Sequence, residues 1–314
     1  MTSKTSSAMC SCLSRHDGVV DLLPLRYFQV VARHEHISRA AAELHVSQPS
    51  LSRTIARLEA ELGVPLFDRQ GRHVRLNRFG AAFLRRVDRA LGELDDARRE
   101  LADEAGEQRG TVAVASETLL TLIDPLTRFR AAHPGIDVRL YQSSAEVMWQ
   151  RLRRGEVDVC LASQPADPSL ETTEVLREEV LLAVPLGHRL AGRTSCHVEE
   201  LAGEPFITTS PGYWQRDLTD RVFAAAGLTP TISFECDEPG VTAYLIRAGL
   251  GIGLIPEMAR RLAPHEPIAY LHLQAPTCHR VLSFVRRREA YLSAAVRVFR
   301  EHVTESLRGG RSAR

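Results

Sequence analysis

The chain has 314 residues, 44% of them hydrophobic and 25% charged, a globular composition long enough for two or three domains. With 40 basic against 39 acidic side chains the net charge is only +1, which excludes a uniformly basic nucleic-acid coat and means that charge must be read by segment. The six cysteines (Cys10, Cys12, Cys160, Cys196, Cys236 and Cys278) form no CxxC and no zinc spacing, which fits reduced thiols in a cytosol.

Residues 1–20 lack the apolar core of a signal peptide and read as a disordered tail. No apolar run is long enough to span a bilayer, so the expectation is a cytoplasmic, soluble protein with no membrane partner. Lys4 is the only lysine, so arginine at any one site is not in itself a signal.

From Leu22 to Ala32 the residues Leu22, Leu25, Phe28, Val31 and Ala32 recur at helical spacing. Ser38 is placed to cap a second, short helix, "SRAAAELH", with Ala41 and Leu44 inward and alanines that permit close helix packing. Then comes "VSQPSLSRTIARLEAELG", Val46 to Gly63. Ser47 reads as its N-cap, Pro49 sits in the first turn where a missing N–H costs nothing, and Gly63 is a stop. Leu51, Ile55, Leu58 and Leu62 form one stripe. Arg53 and Arg57 fall roughly opposite it, with Ser50 beside them and Gln48 at the exposed amino end.

By itself this is either an amphipathic helix with a solvated face or the second helix of a helix-turn-helix, which enters the major groove amino end first. In the second case Gln reads adenine, Arg reads guanine, and hydroxyls or helix N–H groups hold phosphate. The following "LFDRQGRHVRLNRFG" reads as a two-stranded wing turning at Gln70-Gly71, with Arg69, Arg72, Arg75 and Arg78 against Asp68. Across residues 22–78 nine arginines stand against five acids, an excess of four in a nearly neutral chain. That is an electrostatic footprint for phosphate.

The segment "LRYFQVVARHEHISRAAAELHVSQPSLSRTIARLEAELGVPLFDRQGRHVRLNRFG" resembles the winged helix-turn-helix of the LysR-type transcriptional regulators. The signature "AAxxLxVSQPSLSxxIxxLExxLGxxLFxR" runs without a gap over about thirty positions. The resemblance implies a bacterial DNA-binding domain over residues 21–79. Its contacts would come from Ser38, Arg39, Ser47, Gln48, Pro49, Ser50, Ser52, Arg53, Arg57, Arg69, Arg72 and Arg75.

Between Ala81 and Ala105 there is no proline and one glycine, Gly92. Leu84, Val87, Leu91, Leu94 and Leu101 follow a 4-3 spacing in which Arg98 holds the one slot that should be apolar. A linker helix over residues 80–108, roughly 40 Å long, could lie on its own domain or pair with a second subunit. The family's linker does the latter, and implies a homodimer and a tetramer built from dimers.

After "EAGEQRG" the pattern changes to short apolar runs separated by amphipathic helices: "TVAVAS", "IDVRLYQ", "VDVCLAS", "EVLLAVPL", "PFITT", "TISFECD", "GIGLI" and "HRVLSFVRR". This predicts an α/β domain with a parallel sheet. The resemblance continues to "VTAYLIRAGLGIGLIPEMA" and implies a two-lobed, periplasmic-binding-protein-like effector domain over residues 109–308. Lobe I would comprise 110–170 plus 286–308 and lobe II 171–285, with a ligand cleft where the chain crosses.

Several predicted strands end in hydroxyl residues that lead into helices, an arrangement suited to a carboxylate. These are Ser116 and Thr118, Ser143 and Ser144, Ser163, and Thr209 with Ser210. Each can equally be no more than a helix cap. The resemblance implies effector contact at Ser116 and in the loop Thr209–Trp214. Tyr213 and Trp214 could stack on a ligand, or Trp214 could fill a core. Glu117, beside Ser116, opposes a simple anion, and Glu238 is a further candidate and a further acid.

The chain has no GxSxG elbow, Walker loop or HExxH, and "GLGIG" from Gly249 leads into a strand, the reverse of a dinucleotide loop. No enzyme activity, metal or cofactor is expected beyond a small-molecule co-inducer. "SPGYWQRDL" contains no thiol, which argues against the cysteine-pair sensing of the family's peroxide-responsive members. The implied partners are double-stranded promoter DNA, a small-molecule effector, further copies of the chain and RNA polymerase.

Overall fold

A computed structural model describes residues 21–70, 73–105, 110–262 and 267–309. The expected tail 1–20, with Cys10 and Cys12, and the wing turn at Gly71 with Arg72 lie outside the described residues, as does the side chain of Arg69. The chain divides into two compact units, Met1–Leu91 and Gly92–Arg314.

The first unit contains α1 (Leu22–His34), α2 (Ile37–Glu43), α3 (Gln48–Leu62), the antiparallel pair β1 (Phe67–Gln70) and β2 (His73–Leu76), and the first half of α4 (Arg78–Glu104). Leu25, Phe28, Val31, Ala40, Ala41, Leu51, Ile55 and Leu58 bury together. The Phe28 ring meets Phe67 and Phe83 at 5.5 and 5.4 Å.

Two sequence expectations are corrected here. Leu22 and Leu62, at the outer ends of their stripes, are 40% and 39% exposed, because periodicity gives the side of a helix but not how far its partner extends. Ser38 is not the cap of α2. The extended residue is His36, whose Nδ1 accepts from Arg39 N at 3.4 Å, and Ser38 stands exposed inside the helix. Leu44, expected inward, does pack against this core, partly buried at the C-cap of α2.

The wing is held by side chains in addition to its own short ladder. The Glu59 carboxylate accepts from Leu66 N (2.8 Å) and Phe67 N (3.2 Å). Asn77 donates to Pro65 O at 2.8 Å and accepts from Phe79 N and Gly80 N at 2.9 Å, which caps α4. A Cβ on Gly80 would lie 2.1 Å from the Leu66 carbonyl oxygen, so only glycine permits this approach.

Helix α4 has 27 residues. Leu84, Val87 and Leu91 complete the first unit's core, so half of the leucine stripe is used within the chain. Leu94 and Leu101, at 40% and 65%, remain exposed.

The second unit runs β3 (Gly110–Ser116), α5 (Ile123–Ala132), β4 (Ile136–Gln142), α6 (Ala145–Arg153), β5 (Val159–Ala162), β6 (Leu170–Pro185), β7 (Ser195–Cys196) and β8 (Pro205–Thr209). It continues with α7 (Trp214–Ala225), β9 (Thr231–Cys236), α8 (Thr242–Arg247), β10 (Gly253–Pro256), α9 (Glu257–Leu262), β11 (Ile268–Leu273), β12 (His279–Arg287) and α10 (Ala294–Gly309). The main sheet has the order β4-β3-β5-β12-β6-β11-β7, with β10 also on β6, and β8 pairs with β9.

The expected parallel sheet is in fact mixed. β3 runs parallel to β4 and β5, β8 to β9 and β11 to β7, but β12 is antiparallel to β5 and β6, and β6 to β10 and β11. The reason is topological: the chain leaves the first lobe along β6 and returns along β12, so these two strands oppose each other.

The lobe edges shift for the same reason. Val175, Leu176, Leu282 and Phe284 pack with Phe129 of α5 and Phe299 of α10. Val180, Leu182 and Cys278 pack with Leu218 and Val222 of α7. The crossings therefore fall inside β6 near Glu178 and at the start of β12 near Arg280, not at 170/171 and 285/286.

The glycines of "GLGIG" serve strand packing: a Cβ on Gly251 or Gly253 would lie 2.5 or 2.8 Å from the carbonyl oxygens of Pro205 or Ile207. The second half of α4 is fastened to the first lobe. Buried Asp96 pairs with Arg99 and accepts from Arg287 at 3.1 Å and from Tyr291 N at 3.3 Å, while Asp103 accepts from Ala294 N at 2.7 Å.

Candidate functional site

On the first unit the amino end of α3 is the exposed polar feature. Ser47 is extended and its Oγ accepts from Ser50 N at 3.4 Å, with Pro49 in the first turn and Gly63 at φ +71° closing the helix. With Leu51, Ile55 and Leu58 locked in the core, Ser47, Gln48, Pro49, Arg53 and Arg57 are exposed, and Ser50 and Ser52 half-buried. Arg53, Arg39 and Arg75 are exposed with no ion-pair partner among the described residues. Arg57 lies 3.6 Å from Glu61 in an exposed pair, worth ~0–1 kcal/mol and cheaply opened.

In the second unit a cavity of about 330 Å³ lies where the start of β12 meets α7, α8 and α9. Its walls include Thr118, Leu120, Thr121, Trp214, Thr242 and Arg280. At its inner edge Arg280 Nε is 2.9 Å from Glu178 Oε1, both side chains being almost fully buried. Arg280 also donates to Thr121 Oγ1 at 3.2 Å and lies over the Trp214 ring at 5.0 Å.

Glu117, 2% exposed, links the lobes: one carboxylate oxygen accepts from Ser163 N (2.9 Å), the other from Trp214 N (3.1 Å) at the start of α7. Burial is the largest influence on it and pushes its carboxyl up to about 7. Three lining residues carry buried polar atoms with no hydrogen-bond partner among the described residues: Gln215 Oε1, Thr242 Oγ1 and Trp214 Nε1. Such atoms mark a site that a polar ligand would complete.

Of the sequence-predicted effector residues, Thr118 and Trp214 line this cavity. Ser116 does not, and it caps no helix: its hydroxyl lies 2.9 Å from the carbonyl oxygens of both Thr118 and Leu161 at the end of β3. Ser163 contributes its backbone N–H to Glu117. Ser144 precedes α6 without a side-chain cap bond, and Ala145 N donates to Gly212 O of the second lobe at 3.2 Å. Ser143 Oγ and Thr209 Oγ1 are buried with no hydrogen-bond partner among the described residues.

Ser210 accepts at its carbonyl from Tyr213 N at 3.3 Å, and Tyr213 is buried. Trp214 both lines the cavity and packs in the second lobe's core, so the two readings of it coexist. Glu238, exposed, accepts from Gln142 across the lobes and from Gly240 N, each at 3.3 Å. Sequence reasoning missed Arg280, Glu178, Gln215 and Thr242. A lone arginine at the head of the apolar run "HRVLSF" was the available signal. Cys196 and Cys278 are buried, and burial pushes their thiols up to about 11 and 12, which leaves them poor nucleophiles.

Two family models match this chain: "Bacterial regulatory helix-turn-helix protein, lysR family" over residues 22–81 and "LysR substrate binding domain" over residues 105–308. The chain is 36% identical over 284 residues to the uncharacterized HTH-type transcriptional regulator YybE of Bacillus subtilis, covering 89% of this chain and 96% of that one. A full-length OxyR variant from Pseudomonas aeruginosa shares the fold, with a TM-score of 0.71 at 23% identity over 91% of this chain and 95% of that one. Full-length CbnR, solved with its target DNA, is similar at a TM-score of 0.53 and 26% identity, covering 92% and 100%.

Proposed function

The chain belongs to the LysR family of bacterial transcriptional regulators, and from that premise we propose how it reads DNA and responds to a small molecule. Helix α3 enters the major groove of promoter DNA amino end first, with Gln48 and Arg53 at base edges. Ser47, Ser50, Ser52 and Arg57 hold phosphate, flanked by Ser38 and Arg39 and by the wing arginines Arg69, Arg72 and Arg75. The observation that carries this is the amino end of α3, exposed and polar, with Arg53 unpaired among the described residues while the opposite face is fixed in the core.

Dimerisation uses the exposed second half of the α4 stripe and sets two recognition helices about one DNA turn, roughly 34 Å, apart. A pair of dimers forms the tetramer. Effector enters the cavity at the lobe crossing and, by binding one lobe arrangement more tightly than the other, shifts the population and with it the bend in the DNA. Contact with RNA polymerase follows in an activating complex, and the protein acts in the cytoplasm, where the promoter is.

Fluorescence anisotropy on the intergenic DNA beside a divergently transcribed neighbouring gene tests the reading. Arg53→Ala is expected to weaken operator binding by about 1–3 kcal/mol and to relax specificity at one position. Uniform weakening with a flatter salt slope would move Arg53 to phosphate. Unchanged binding would remove it from the interface.

A further inference from the structure

The N-terminus of a helix attracts carboxylates because its first N–H groups lack partners and its dipole is positive there. Helix α7 opens onto the cavity in this way, but the position is taken from within: Glu117 of the first lobe accepts from Trp214 N. Glu117 follows the end of β3, beside the lining residue Thr118, and its second oxygen is held by Ser163 N. It is a tethered carboxylate standing where a bound anion would otherwise sit.

The surrounding charge is mixed, and its one lining cation is already answered. Arg280 is the one cation among the lining residues, and it is committed to Glu178. Asp217 lies in the first turn of α7 and adds to the negative field at Glu117, while Asp237 and Glu238 act on the adjacent Tyr213. The buried polar atoms of the lining residues ask for something else. Gln215 gives its Nε2 to Leu254 O at 3.1 Å, which leaves Oε1, an acceptor, needing a donor. Thr242 Oγ1 sits in a residue 1% exposed. The remaining walls, Leu120, Ile123, Met258 and Leu262, are apolar.

Resting on the assignment of this cavity as the effector site, we infer that the effector carries no negative charge. It is a small neutral or cationic molecule with an apolar body and an N–H-donating head, an amine or amide, that reaches Gln215 and Thr242. A carboxylate effector is disfavoured by Glu117 as long as Glu117 is ionised. Trp214 Nε1 takes an acceptor, which an amide or hydroxyl oxygen of the same ligand supplies.

The test uses the full-length protein labelled with 5-fluorotryptophan. Trp149 and Trp214 are its only tryptophans, and Trp149→Phe assigns the two fluorine signals. Three probes share one body and differ in the head: benzylamine, benzamide and benzoate. At pH 8 the amine and the amide are expected to move the Trp214 signal with at least roughly tenfold lower Kd than benzoate, the scale on which one near carboxylate acts.

Glu117→Gln, which keeps an oxygen for one of the two backbone N–H groups, is expected to close most of that gap by strengthening benzoate. In the unsubstituted chain, lowering the pH from 8 to 6 moves benzoate the same way as Glu117 takes up its proton, so the test survives a variant that folds poorly. Benzoate binding as tightly as benzylamine at pH 8 overturns the charge assignment and leaves the cavity as the site. A Trp214 signal unmoved by all three probes overturns the cavity itself, and the proposal with it.

Discussion

At Glu117, burial and hydrogen bonding act in opposite directions. Burial raises its carboxyl from the ordinary 4.5 to about 7 against the pull of the Ser163 and Trp214 N–H groups and of Arg280, while Asp217 adds to the rise. Between those two values the folded chain holds a proton that the unfolded chain has lost. Stability from this residue is therefore full below pH 4.5 and is lost as the pH climbs through about 7. Glu117→Gln cannot ionise, so relative to the unsubstituted chain it should gain roughly 1–3 kcal/mol on going from pH 5 to pH 8. Thermal melts of both proteins at the two pH values measure this, and equal pH dependence would show that Glu117 stays ionised in the fold. The sequence placed an acid beside Ser116, but only the fold shows that it reaches the opposite lobe.

Elements in the first unit follow from local rules. Ser47, Pro49 and Gly63 bracket α3 because capping, proline placement and left-handed closure depend only on neighbours in sequence. The wing is different, because its anchors come from afar: Glu59 from α3, and Asn77 with Gly80 from the turn into α4. Gly80→Ala should destabilise the unit by about 1–3 kcal/mol or more, since a methyl group would meet the Leu66 carbonyl. A melt within a few tenths of a degree of the parent would show that the wing yields freely. In the second half of α4, Asp96 gathers Arg99, Arg287 and Tyr291 N on one buried carboxylate. Asp96→Ala should cost about 3 kcal/mol in the second unit's stability by leaving the Arg287 guanidinium unanswered, while Arg99 keeps Asp158 at 3.0 Å. Chemical denaturation followed at Trp149 and Trp214 reads that loss.

For the whole molecule, the unfinished stripe on α4 is the feature that points beyond one chain. Leu84, Val87 and Leu91 are spent on the chain's own core, and Leu94 and Leu101 are left in solvent. If the second half of the helix pairs with another copy, Leu101→Glu should shift the chain toward monomer in sedimentation and weaken operator binding, while isolated-chain melting stays within ~0.5 kcal/mol. An unchanged sedimentation coefficient would place the subunit contact elsewhere.

The sequence by itself determined the helix-turn-helix, the two-stranded wing, the long linker helix and the alternation of strands and helices. All of these rest on short-range periodicity, capping and composition. Only the tertiary structure decided which half of the linker stripe is buried, that β6 and β12 carry the chain between lobes antiparallel, and that Ser116 turns to backbone carbonyls. The same holds for the meeting of Glu117, Arg280, Glu178, Gln215 and Thr242, drawn from five separate segments. Which distant strands cross, and which buried polar groups then have to satisfy one another, is a property of packing, and no window along the chain contains it.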